Sequence, residues 1–114
     1  MTLNPKIKGQ TKIVEEIAIE QTKIYLWQKG YWVLREQQLR GPADLYAYKI
    51  LNYKKIEYFI DSKGIHPRAN YKPAFKARIS KFPVRDKILN RIQSIVYKNQ
   101  IKFKDLNNKE VKII

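Results

Sequence analysis

Between Thr11 and Lys29 the apolar residues Ile13, Ile17, Ile24 and Trp27 recur at spacings of four, seven and three. That is one stripe of an amphipathic helix, with Gly30 as its stop. Tyr31-Trp32-Val33-Leu34 is aromatic and β-branched and reads as a strand. Glu36 to Pro42 is a polar loop ending in Gly-Pro. Leu45–Leu51 and Ile56–Lys63 read as two further strands joined by Asn52-Tyr53-Lys54-Lys55 as a hairpin turn. Gly64 to Pro83 is irregular, punctuated by Pro67, Pro73 and Pro83. From Val84 to Asn99 the residues Ile88, Ile92 and Val96 repeat every four positions and predict a second helix. Ile101–Lys104, a turn over 105–110 and Val111–Ile114 read as a terminal hairpin. Helix, three strands, basic loop, helix and two strands predict an α/β fold, a small central mixed sheet flanked by helices.

With 114 residues and 44% apolar content the chain has room for one domain, taken as 1–114, with a modest core. It has no cysteine, which excludes disulfides and thiolate metal sites. No apolar run approaches the ~20 residues of a membrane span, and Met1-Thr2-Leu3-Asn4-Pro5-Lys6 lacks the apolar core of a signal peptide. A soluble intracellular protein, cytoplasmic or nucleoid-associated, is expected. The formal net charge of +14 is uneven. Residues 1–63 carry 11 Lys/Arg against 7 Asp/Glu, whereas residues 64–114 carry 13 against 3. Such a surface suits a polyanion, because each phosphate contact releases counterions.

Against that basic background the acids stand out. Glu20 falls, at about 100° per residue, in the middle of the Ile13/Ile17/Ile24/Trp27 stripe. A charge there is costly without a purpose. Glu16 lies at the stripe's edge and is the alternative helix carboxylate. Asp44 follows a Gly-Pro turn and opens a strand, and Asp61-Ser62-Lys63 ends the next one. In a strand Asp61 and Lys63 project from the same face. Two carboxylates from adjacent strands with one ammonium beside them can hold a hard divalent cation and set a water against a phosphate. Each residue alone has a plainer role: a turn residue for Asp44, a surface charge pair for Asp61 and Lys63, a lysine partner for Glu20. Their combination carries the functional reading.

That combination resembles the PD-(D/E)xK nuclease superfamily. More narrowly, Lys29-Gly30-Tyr31-Trp32-Val33-Leu34-Arg35, the loop to Asp44-Leu45 and the D-x-K strand resemble archaeal-type Holliday junction resolvases, over roughly residues 9 to 63. The resemblance implies a restriction-endonuclease-like core and a homodimer that cuts branched or duplex DNA in recombination. It implies magnesium (or manganese) on Asp44, Asp61 and the Ser62 carbonyl. Lys63 would orient the attacking water, and Glu20 would complete the acidic set. Two features depart from the resolvase pattern: no serine precedes Asp44 in its loop, and Ile13 stands four residues after Gly9.

Arg35, Arg40, Arg68, Lys72, Lys76, Arg78 and Lys81 are the expected nucleic-acid contacts. Tyr71 and Phe75 between the last of these could stack on bases. His66, the sole histidine, is a loop residue that could serve as an auxiliary base. At least one of Tyr31 and Trp32 is expected in the core. The apolar ends of the second helix and terminal hairpin are the expected dimer surface. Two other readings compete: a sequence-specific restriction or homing-type endonuclease of the same fold, and a non-catalytic basic nucleic-acid-binding protein.

Overall fold

The computed structural model describes residues 10–35, 43–65 and 83–114. Helix α1 spans Gln10–Gln28, and strands β1 (Trp32–Arg35), β2 (Leu45–Leu51) and β3 (Lys54–Gly64) follow. A short helix α2 (Pro83–Ile88) leads into β4 (Arg91–Tyr97) and β5 (Gln100–Lys104). The strands form one sheet in the order β1-β2-β3-β4-β5, antiparallel except for the parallel β3–β4 pair. An α/β fold with a mixed sheet is what the hydrophobic pattern predicted. Among the described residues no helix is long and apolar enough to cross a membrane.

Local chemistry fixes several junctions. Gly30 adopts φ 88°, its N–H bonds to the Trp27 carbonyl at 3.0 Å, and the Tyr31 N–H bonds to the Leu26 carbonyl at 3.0 Å. This is a glycine-terminated helix end in which buried Tyr31 packs in one cluster with buried Leu26. The β2–β3 turn is shorter than the sequence suggested. Asn52 and Tyr53 both have positive φ, 52° and 64°, so a two-residue turn of the primed type starts β3 at Lys54.

Three expectations are corrected. The Ile13/Ile17/Ile24/Trp27 stripe does not face the core: these residues are 37, 39, 47 and 52% exposed. The buried face is Val14, Ala18, Ile19, Thr22 and Leu26, nearly opposite around the helix. Its small side chains let α1 approach the sheet closely, and that closeness hides their modest hydrophobicity. Second, the helix expected over 84–99 stops at Ile88. Asn90, with φ 52°, breaks it, and its side-chain amide donates to the Glu57 carbonyl at 2.9 Å. A four-residue repeat is an even number of steps, so Ile92 and Val96 share a face in a strand as well as in a helix. Third, β5 pairs with β4 rather than with 111–114. The Asp105 carboxylate accepts the N–H groups of Asn107 and Lys109, and the chain then folds back to bury Ile113. The Lys104–Glu110 bridge, the Asp105 N–H to Lys109 carbonyl bond and the Val111 N–H to Phe103 carbonyl bond keep part of the expected terminal hairpin.

The core lies between α1 and one sheet face, with Leu45, Ala47, Tyr58, Ile60, Ile92 and Phe103 buried there. Of the two aromatics weighed for it, Tyr31 is buried and Trp32 is exposed. Burial, with Tyr58 beside it, pushes the Tyr31 phenol up to about 12. A folded-state pKa above the ordinary phenol value of about 10 stabilises the fold fully below that pH. The contribution is lost as pH rises through about 12. Ultraviolet absorbance titrations of the parent and of Tyr31→Phe should therefore differ by one phenol that ionises only as tertiary structure is lost; a difference appearing near the ordinary phenol value would contradict the packing.

Candidate active site

The site is built where β2 ends and β3 continues. The last β2–β3 register pair is Leu45 with Ile60, so Asp61 to Gly64 run on without a β2 neighbour while still pairing with β4. Asp44 takes the missing strand's place. Its Oδ2 accepts the Ser62 N–H at 2.9 Å. Because a strand residue's N–H and C=O point to the same side, the Ser62 carbonyl is also directed past the end of β2. Buried Ile60 and Ser62 alternate with half-buried Asp61 and Lys63, so these two face away from α1, as period-two alternation required. Arg91, opposite Phe59 at the start of β4, shares that face and forms an ion pair with Asp61.

Beneath this corner lies a closed set of hydroxyls. Thr22 of α1, Ser62 of β3 and Ser94 of β4 are all buried. The Thr22 hydroxyl donates to the Ala18 carbonyl at 2.7 Å and lies 2.9 Å from the Ser94 oxygen, which is 2.8 Å from that of Ser62. A carbonyl can only accept, so Thr22 spends its single proton on Ala18 and accepts from the serines, Ser94 at 2.9 Å or Ser62 at 3.4 Å. The middle residue of the D-x-K motif is thereby tied to the helix. Thr22→Val keeps the shape and leaves one serine hydroxyl without an acceptor. It should lower unfolding stability by about 1–2 kcal/mol, and Thr22→Ser should restore most of it. Equal denaturation midpoints for the parent and the valine variant would contradict the network.

The helix acids belong to a different cluster. The Arg35 guanidinium reaches both Glu16 carboxylate oxygens at 2.6 Å and Glu20 at 3.7 Å, and Glu20 also meets Lys23 at 3.6 Å. The bond from Arg35 holds the Glu16 carboxyl below its ordinary value. In return the bond to Glu16 raises Arg35, with the charges of Glu20 and Asp44 adding to it. Glu20 is exposed, so the argument from a buried charge does not hold for it. Its setting is the ion pairing weighed as its plainer role. Arg35, expected to meet nucleic acid, is paired here with the helix acids, and the charge of Asp44 also acts on it.

Among the described residues no three acidic or histidine side chains gather about one point. Glu20 therefore does not join Asp44 and Asp61 as a third carboxylate. Asp44, held on the Ser62 N–H, and Asp61, the residue before Ser62, lie at the same strand end, and their carboxylates and the Ser62 carbonyl are hard oxygens of the kind that suits a hard divalent cation. Arg40, His66, Arg68, Lys72, Lys76, Arg78 and Lys81 lie outside the described residues. Sequence reasoning missed Arg91, Thr22 and Ser94. The β-branched run Ile92 to Val96 was the signal that could have exposed β4, and with it Arg91 and Ser94. Comparison with protein-family models, with curated proteins and with solved structures finds no match to this chain.

Proposed function

We propose that this chain is a magnesium-dependent DNA endonuclease, manganese serving as well, that hydrolyses phosphodiester bonds on a PD-(D/E)xK core. The observation that carries the reading is the Asp44 carboxylate on the Ser62 N–H, set beside a strand whose other face presents Asp61 and Lys63. An antiparallel β1-β2-β3 meander followed by a parallel β4 supports a restriction-endonuclease-like core. Asp44, Asp61 and the Ser62 carbonyl are the groups that would hold the cation. When bound, magnesium would polarise a phosphate oxygen and offset charge growing in the transition state. Lys63, two residues from Asp61 on the same face, orients the attacking water and adds positive charge. Arg91 neutralises Asp61 and offers a guanidinium to the phosphate. Glu20 acts at a distance, through Arg35 or an intervening water.

A structure-selective, resolvase-like enzyme is the preferred form, intracellular and homodimeric. The exposed Val84 and Ile88 of α2 supply an apolar surface for pairing. One observation favours a second reading: with Asp61 closed on Arg91 and the helix acids closed on Arg35, a non-catalytic nucleic-acid binder would look similar. A labelled four-way junction and a matched linear duplex, each incubated with magnesium or with chelator, separate the readings. Magnesium-dependent nicking of the junction in preference to the duplex is expected. Equal cutting of both would point to a restriction or homing-type enzyme, and tight binding without cutting under magnesium or manganese would overturn the nuclease.

A further inference from the structure

The sheet face that carries Asp61 and Lys63 also carries a block of aromatic side chains that α1 does not cover. Residues opposite one another in register share a face, and Trp32 stands opposite Tyr48, Leu34 opposite Tyr46, and Tyr46 opposite Phe59. The Tyr46 ring lies 5.8 Å from that of Tyr48 and 5.0 Å from that of Phe59. On β1, the outermost strand among the described residues, Trp32 is 70% exposed and Leu34 60% exposed, while Tyr46, Tyr48 and Phe59 are half-buried. A single exposed apolar side chain is ordinary, but a contiguous run on a site-bearing face marks a surface built for a partner.

The charges around the block select the partner. Lys55 places its ammonium 5.7 Å from the Tyr46 ring and 5.4 Å from the Tyr48 ring, and it also pairs at 3.3 Å with Glu57, which stands opposite Tyr48 and accepts the Tyr46 hydroxyl. The register puts Lys102 and Lys104 of β5 on the same face as Asp61. Flat rings bordered by ammonium groups are the surface on which unpaired bases stack while cations meet their phosphates. A duplex keeps its bases stacked inside and cannot use such rings, and an apolar protein partner would gain nothing from the lysines. Asp61 follows Phe59 by two residues, roughly 7 Å along the strand. Bases on the block would thus bring their backbone toward the Asp61 corner.

We infer that the Trp32–Tyr48–Tyr46–Phe59 face is a stacking platform for unpaired nucleotides, so that the substrate is DNA with a single-stranded or branched segment. The inference rests on the nuclease reading for the word substrate, but platform binding can be tested without cleavage. The chain has two tryptophans, Trp27 and Trp32. Trp27→Phe leaves Trp32 as the only tryptophan emitter. The probe is a single-stranded oligothymidylate of ~10 nucleotides in chelator, with a duplex of equal length as the comparison.

Saturable quenching of Trp32 by the single strand and much weaker quenching by the duplex are expected. In the otherwise unchanged protein, Trp32→Ala should weaken single-strand binding about 5- to 100-fold. Duplex affinity should stay within about twofold, and Trp32→Tyr should restore most of the loss. Oligonucleotide binding that leaves Trp32 emission unchanged would overturn the platform. So would an unaltered single-strand affinity in Trp32→Ala, including the case where sedimentation shows that variant dissociating a dimer. Quenching in chelator without any magnesium-dependent cutting would retain the platform and remove the nuclease. Magnesium-dependent cutting with no contribution from Trp32 would do the reverse.

Discussion

Asp61→Asn is expected to reduce magnesium-dependent cleavage about a thousandfold while the protein stays folded. The substitution keeps the size of the side chain and removes the charge that would hold the cation, and with it the stabilisation of charge at the phosphate. Asn can still accept a hydrogen bond from Arg91, so the cost to stability should be about 1 kcal/mol. Asp44→Asn should behave alike in cleavage, because Asp44 is fixed to the Ser62 N–H on the same strand end. Glu20→Gln should cost less than about tenfold, since Glu20 is exposed and paired with Lys23 and Arg35. Single-turnover rates with labelled branched DNA, together with circular dichroism, check all three. Cleavage by Asp61→Asn at the parent rate would remove Asp61 from the chemistry.

The second large effect is expected at Gly64, the residue after Lys63. A Cβ there would sit 2.5 Å from the Val14 Cγ1 and 2.7 Å from the Val14 carbonyl oxygen. A valine rotamer can turn aside, but the carbonyl is part of the α1 backbone and can move only with the helix. Gly64→Ala should therefore destabilise the fold by about 3 kcal/mol and displace the strand end that carries Lys63. Adding Val14→Ala removes the methyl clash and leaves the backbone one, so the double variant should recover only part of the stability. Denaturant titration decides this: full recovery would show that the backbone contact does not limit the approach.

What could be read from the sequence was local. The Gly30 stop and the run from Leu45 to Lys63 depend on neighbouring residues, and periodicity with turn chemistry captured them. The alternation that puts Asp61 and Lys63 on one face belongs to the same class. Readings that needed a tertiary choice went astray. Helix α1 offers two apolar stripes, and the one with more isoleucine is the exposed one, because the sheet packs closely on the other, with Gly64 against Val14 and the Thr22 hydroxyl bonded to Ser94. The spacing of Ile88, Ile92 and Val96 fits a helix and a strand equally, and only pairing with β3 decides. The hydroxyl set of Thr22, Ser62 and Ser94 and the Asp61–Arg91 pair join residues far apart in the chain, so no window along the sequence contains them.

The central claim is that Asp44 and Asp61, with the Ser62 carbonyl, take a divalent cation. Manganese uptake by the DNA-free protein, followed through water-proton relaxation, tests it most directly. The expected result is saturable uptake by the parent, weakened about tenfold or more in Asp44→Ala and in Asp61→Ala, and unchanged in Glu110→Gln. Identical uptake by the parent and both aspartate variants would contradict the claim.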